Sequence, residues 1–130
     1  MLSYFINAKA GTSELIEVKD WRDYSRLLEC DCIDIVYRYI GDSSVQLPIV
    51  IDDCGKLKDN PVISALNLNT PEVLVGSLLV INTDSEGEQI PLSQEHITIL
   101  EKNTVNFSQI GVAVNDLRHL HLSDKILFIS

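Results

Sequence analysis

A chain of 130 residues with 45% hydrophobic content is long enough to fold as one domain around a real core. Its formal charge of -9, from 19 acids against 10 bases, argues against direct nucleic-acid binding, which needs clustered Lys and Arg. No apolar run approaches the roughly 18 residues of a membrane-spanning helix, because Ser64, Asn67, Asn69, Thr70 and Glu72 interrupt the richest region.

Residues Leu2 to Asn7 and Glu14 to Lys19 read as an opening hairpin, with Ala10-Gly11-Thr12-Ser13 supplying the turn. Asp20 is a good helix cap, and Trp21, Tyr24 and Leu27/Leu28 recur at helical spacing, so a helix over Asp20 to Glu29 is expected with Trp21 in the core. From Cys32 to Ile40 the period is two: Ile33, Ile35, Tyr37 and Tyr39 share one face, which predicts a strand with that face buried. Gly41-Asp42-Ser43-Ser44 is turn chemistry, and Val45 to Ile51 returns as the second strand of a hairpin. Pro48 has no N–H for a ladder, so an edge or bulge is expected there.

Asn60-Pro61 opens an irregular or short helical piece through Leu66, and Asn67 to Glu72 is a loop. Val73 to Val75 and Leu78 to Ile81 read as strands parted by a bend at Gly76, followed by an exposed turn over Thr83 to Glu88. Ser93 caps the next helix, Leu92 staples onto Ile97, and the stripe runs on to Leu100 and about Lys102. Beyond Asn103 the pattern gives a strand through Phe107, Ile110, Val112 and Val114, a short helix over Asn115 to Leu122, and a final buried strand over Ile126 to Ile129. The fold class is therefore α+β: a mostly antiparallel sheet with two or three short helices packed on one face. The expected core comprises Trp21, Leu27, Ile33, Ile35, Leu47, Ile49, Ile51, Leu78, Val80, Ile97 and Leu100.

Charge is uneven. Between Lys58 and Lys102 there is no Lys or Arg, while Asp59, Glu72, Asp84, Glu86, Glu88, Glu95 and Glu101 contribute seven negative charges. Asp84, Glu86 and Glu88 fall in one turn and are the candidate interaction residues.

The residues point to no catalytic, cofactor or metal site. Cys30, Cys32, Cys54, His119 and His121 lack the paired spacing of a zinc site, and His96 reads as a surface residue of its helix. Asp52 and Asp53 flank Cys54 with negative charge, whereas a reactive thiolate needs a positive neighbourhood. Those two carboxylates, with Asp34 as a third, could serve acid–base or Mg²⁺ chemistry, but adjacent residues of an extended chain point apart, and Asp-Asp-x-Gly is ordinary turn composition. Phosphate-loop, dinucleotide, serine-hydrolase and zinc-protease signatures are all lacking. An odd number of cysteines and an opening Met1-Leu2-Ser3-Tyr4-Phe5-Ile6 without a basic leader suit a reducing, cytoplasmic location.

Three blocks in order, Cys30-Asp31-Cys32-Ile33-Asp34-Ile35, Ile49 to Leu57 and Leu74 to Ile81, together with the helix start in Ile90 to Glu101, resemble a family of small proteins from phages, plasmids and conjugative elements, domain of unknown function 3846. The resemblance covers roughly Met1 to Asn103, giving a core domain over 1–103 and a C-terminal extension over 104–130 packed on it. It supplies no catalytic residues and no cofactor. It implies a mobile-element setting and a non-enzymatic accessory protein that contacts an unidentified host or element protein, without membrane or direct nucleic-acid binding. The alternatives are an acidic DNA mimic that inhibits a host nucleic-acid enzyme, and a small carboxylate-dependent hydrolase or ligand-sequestering domain built on Asp34, Asp52 and Asp53. The oligomeric state is left open.

Overall fold

The structure, a computed structural model, describes residues 1–41, 43–54, 62–67, 72–106 and 125–129. The expected strand over Phe107 to Val114, the expected helix over Asn115 to Leu122, and His119 and His121 lie outside the described residues.

In chain order the elements are β1 (Leu2–Asn7), β2 (Thr12–Glu17), α1 (Arg22–Leu28), β3 (Ile33–Ile40), β4 (Gln46–Asp52), β5 (Ile63–Asn67), β6 (Val73–Val75), β7 (Leu78–Val80), β8 (Asn82–Thr83), β9 (Gln89–Ile90), α2 (Gln94–Lys102), β10 (Thr104–Val105) and β11 (Lys125–Ile129). One sheet runs β2-β1-β7-β4-β3-β11-β5-β6, with β10 also on β11, and β8 and β9 form a separate hairpin. Pairing is antiparallel except where β11 meets β3 and β10. The α+β, mostly antiparallel architecture is thus present. Among the described residues no helix is long and apolar enough to cross a membrane.

The sheet curls on itself. β6 stands at the far end of the strand order from β7, yet only Gly76 and Ser77 separate them, and a chain advances at most about 3.6 Å per residue. The ends of that run of strands are therefore neighbours. Gly76, at φ +77°, makes the bend; its N–H donates to the Val62 carbonyl, and Ser64 Oγ donates to the Gly76 carbonyl. Arg38 reaches across the same side with two bonds to the Glu72 carboxylate, at 2.9 and 2.7 Å.

Inside the curl lies the larger core, including Ile6, Ile40, Ile49, Leu78, Ile126 and Phe128, closed by Ile97 and Leu100 of α2. Outside, Tyr24 and Leu28 of α1 pack on Phe5, Val50, Leu79 and Ile81. Neighbours along a strand face opposite ways, so the alternation of Ile49 with Val50 and of Leu78 with Leu79 places the two helices on opposite faces. This corrects the expectation of helices packed on one face, and the described helices number two.

Other corrections are local. β2 begins at Thr12, because the turn closes earlier: Gly11, at φ +66°, returns its N–H to the Asn7 carbonyl. Residues 63–67 form strand β5 and not a helical piece; held between β6 and β11, they gain ladders on both edges. Pro48 lies in an interior strand rather than at an edge. Its carbonyl accepts from Ile81 N–H, so its nitrogen also faces β7's side, at the end of the short β4–β7 ladder, and the missing N–H takes no bond from the β3–β4 ladder. Ser93 caps α2 as expected, accepting from His96 N–H, and His96 Nδ1 accepts in return from Ser93 N–H to complete a capping box.

Five expected core residues are not fully buried. Leu27, Ile33 and Ile51 are half-buried, Ile35 is 40% exposed, and Trp21 is 68% exposed. β3 alternates as read, but the face turned to the larger core is the other one, with Ile40 buried and Val36 packed beside it; the face of Ile33, Ile35, Tyr37 and Tyr39 expected to be buried is the outer one, and Ile35 and Tyr37 on it lack a cover.

Candidate functional site: an aromatic groove with an acidic rim

The start of α1 builds the first wall of a groove of about 260 Å³. Asp20 Oδ1 accepts from Arg22 N–H at 2.9 Å, and Asp23 Oδ2 accepts from Lys19 N–H at 3.0 Å, which fixes the first turn. Trp21 occupies the N-cap position itself, without a side-chain cap bond and outside the buried stripe of Tyr24 and Leu28, and its side chain is exposed. Its indole carries the Arg22 guanidinium 5.7 Å from the ring centroid.

The floor comes from β3 and β4. A seven-residue helix is only about 10 Å long, so α1 covers Val50 and Leu79, with Ile33 at the margin, and leaves Ile35 and Tyr37 of β3 uncovered. Ile35 and Tyr37, the latter 51% exposed, line the groove with Pro48, which lies opposite Tyr37 in the ladder.

The far wall is the β8–β9 hairpin. Its tip is organised by Asp84, whose Oδ1 accepts from Glu86 N–H at 2.9 Å and Glu88 N–H at 3.0 Å, while Gly87 takes φ +84°. Behind it a relay ties three elements together: Tyr24 hydroxyl donates to Gln89 Oε1, Gln89 Nε2 donates to Ser3 Oγ at 3.2 Å, and Ser3 Oγ donates to the Met1 carbonyl at 3.1 Å. Burial first, and the Asp20 charge second, raise the Tyr24 phenol above its ordinary value. Glu88 and Asp20 line the groove.

Of the candidate interaction residues, Glu88 faces the groove, Glu86 is exposed at the tip, and Asp84 has a structural task in shaping the turn. Trp21 and Ile35 were assigned by pattern to the core, and Tyr37 to the buried face of its strand. An apolar strand face needs a cover, and the seven residues of α1 are too few to supply one over Ile35 and Tyr37.

The remaining candidates do not converge on a catalytic arrangement. Asp52 Oδ1 accepts from Cys54 N–H at 3.0 Å, the expected turn role, and Asp34 Oδ1 accepts from Ile35 N–H at 2.8 Å. Asp52 and Asp53 border a depression with Glu72 on the other side of the hairpin from the groove. Cys30, Cys32 and Cys54 line a common cleft with Asp31 and Asp52. Among the described residues no three of His, Cys, Asp and Glu are grouped so as to hold a metal ion.

A family model described as Domain of unknown function (DUF3846) matches residues 1–104, four-fifths of the sequence. The chain belongs to that family. The DUF3846 match takes in every element that builds the groove and ends at β10, before β11. No curated protein and no solved structure matches the chain.

Proposed function

We propose that the chain is a non-enzymatic accessory protein of a phage, plasmid or conjugative element, acting in the cytoplasm by contact with another protein at the groove. The observation that carries this reading is the exposure of Trp21, Ile35 and Tyr37 side by side on an otherwise acidic molecule. Contiguous apolar exposure marks interaction sites, and Trp and Tyr are prominent among residues that dominate binding energy. The mobile-element setting follows from the family resemblance alone. Of the carboxylates of a hydrolase reading, Asp52 is engaged in a turn and Asp34 in a local bond within β3, and three acids of the DNA-mimic reading, Asp84, Glu86 and Glu88, sit on one hairpin tip while Glu72 pairs with Arg38.

The test is a tagged pull-down from a bacterial host with three forms of the chain: unaltered, Trp21→Ser with Tyr37→Ser, and Glu86→Gln with Glu88→Gln. Asp84 is kept because it shapes the turn. A partner retained at high salt and weakened at least about thirtyfold by the apolar pair, the hot-spot scale, fits protein contact. A hundredfold loss on acid neutralisation at low salt, with folding intact and the apolar pair without effect, would establish the DNA mimic instead.

A further inference from the structure

We infer that the occupant of the groove is a basic segment of the partner: an aromatic or large aliphatic anchor seated on Trp21, Ile35 and Tyr37, flanked by Lys or Arg facing Asp20 and Glu88. This rests on the protein-contact reading above and adds the chemistry of what binds.

Size argues for a single anchor. At about 260 Å³ the groove falls below the roughly 300–1,000 Å³ of sites that enclose a small-molecule ligand. It suits one side chain laid against two aromatic rings and an isoleucine.

Charge argues for the flanks. Asp20 and Glu88 stand on opposite walls, one at the start of α1 and one at the hairpin tip, with Glu86 beyond. The Asp20 field reaches the interior, since it contributes to holding the Tyr24 phenol protonated. Met1 lines the groove and Arg22 neighbours it through Trp21, and both cations have partners. The Met1 ammonium bonds the Val18 carbonyl and pairs with Glu17, and Arg22 lies over the Trp21 ring. The second of these contacts also shows that the indole face accepts a guanidinium. A second copy of this chain is a poor occupant, because two molecules of charge -9 repel.

The experiment uses displayed random linear peptides selected on the full chain and counter-selected on the Trp21→Ser, Tyr37→Ser variant, so that survivors depend on the groove. Both substitutions fall on exposed side chains, and matching thermal melts confirm an intact fold. Survivors are expected to carry an aromatic or large aliphatic residue with Lys or Arg close on either side. For a synthetic survivor, Asp20→Asn with Glu88→Gln should lower the association rate roughly tenfold at low salt and flatten its salt dependence, with the dissociation rate changed less than about twofold. Asn at position 20 keeps an acceptor for the Arg22 N–H. Survivors without an excess of Lys and Arg, or an association rate indifferent to the two neutralisations, overturn the basic occupant and leave the groove reading standing. No groove-dependent survivors at all overturns both.

Discussion

Truncating Phe128 tests whether the last strand belongs to the fold proper or merely decorates it. Phe128 is fully buried inside the curl, its ring meets Tyr4 edge-on at 6.5 Å, and its N–H donates to the Asn103 carbonyl at 2.9 Å. Phe128→Ala leaves the backbone bond in place and removes the ring. The expected cost is about 3–5 kcal/mol for a buried Phe, toward the upper end because the aromatic pair is worth a further 0.5–1.5 kcal/mol, roughly, beyond its area. A chain of 130 residues loses roughly 3–5 °C of thermal midpoint per kcal/mol, which predicts a fall of about 10–20 °C. Circular-dichroism melts and urea titrations measure it, with Val62→Ala as a control expected within about 0.5 kcal/mol, since Val62 is half exposed. A chain cut at residue 104, where the family match ends, loses β11 altogether and should show no cooperative transition. A Phe128→Ala midpoint within about 3 °C of the unaltered chain, or a cooperative melt of the cut chain, would refute the placement of β11 between β3 and β5.

Gly41→Ala should destabilise by at least about 1–2 kcal/mol, because φ is +54° and an added Cβ would stand 1.8 Å from the Asn103 carboxamide oxygen, whose group is itself bonded to the Ile99 carbonyl. Chemical denaturation reads it directly, and an unchanged midpoint contradicts the close approach of β3's end to the start of β10. Tyr24→Phe should cost about 0.5–1.5 kcal/mol at neutral pH through loss of the bond to Gln89. The folded phenol is raised above the unfolded value of about 10, so the tyrosine term is flat below pH 10 and stability falls as pH rises through the folded value. The Phe variant should lose less stability on moving from neutral pH to one unit above that value, and parallel losses in the two proteins would disprove a buried, shifted phenol.

Much of the fold could be read from spacing. The β3–β4 hairpin followed from two strand-like runs on either side of a turn-forming loop, and α2 from Ser93, the Leu92 staple and a regular stripe. Burial on both faces of the central strands was also written in the chain: Leu47-Pro48-Ile49-Val50-Ile51 and Leu78-Leu79-Val80-Ile81 are unbroken apolar runs, the mark of strands covered on each side. The expectation of helices packed on one face left the second face of these strands without the cover that such runs require. The groove was illegible for a different reason. Its three exposed apolar residues look like core in any periodic pattern, and only the short reach of α1 distinguishes them. Glu88 was found by its place in an acidic turn, while the internal work of Asp84 emerged only from the hydrogen bonds of the tip.

The seat of β11 carries a consequence for biosynthesis. A ribosome delivers β3 and β5 long before residues 125–129 emerge, so both strands wait with one edge unsatisfied while some 60 to 90 further residues are added at about 5–20 per second. For those seconds the nascent protein presents bare strand edges, the usual template for unwanted pairing with other chains. Closure comes last and all at once, when Ile126, Leu127 and Phe128 enter together. Anything that slows translation over the final stretch should therefore lower soluble yield more than the same delay earlier in the message.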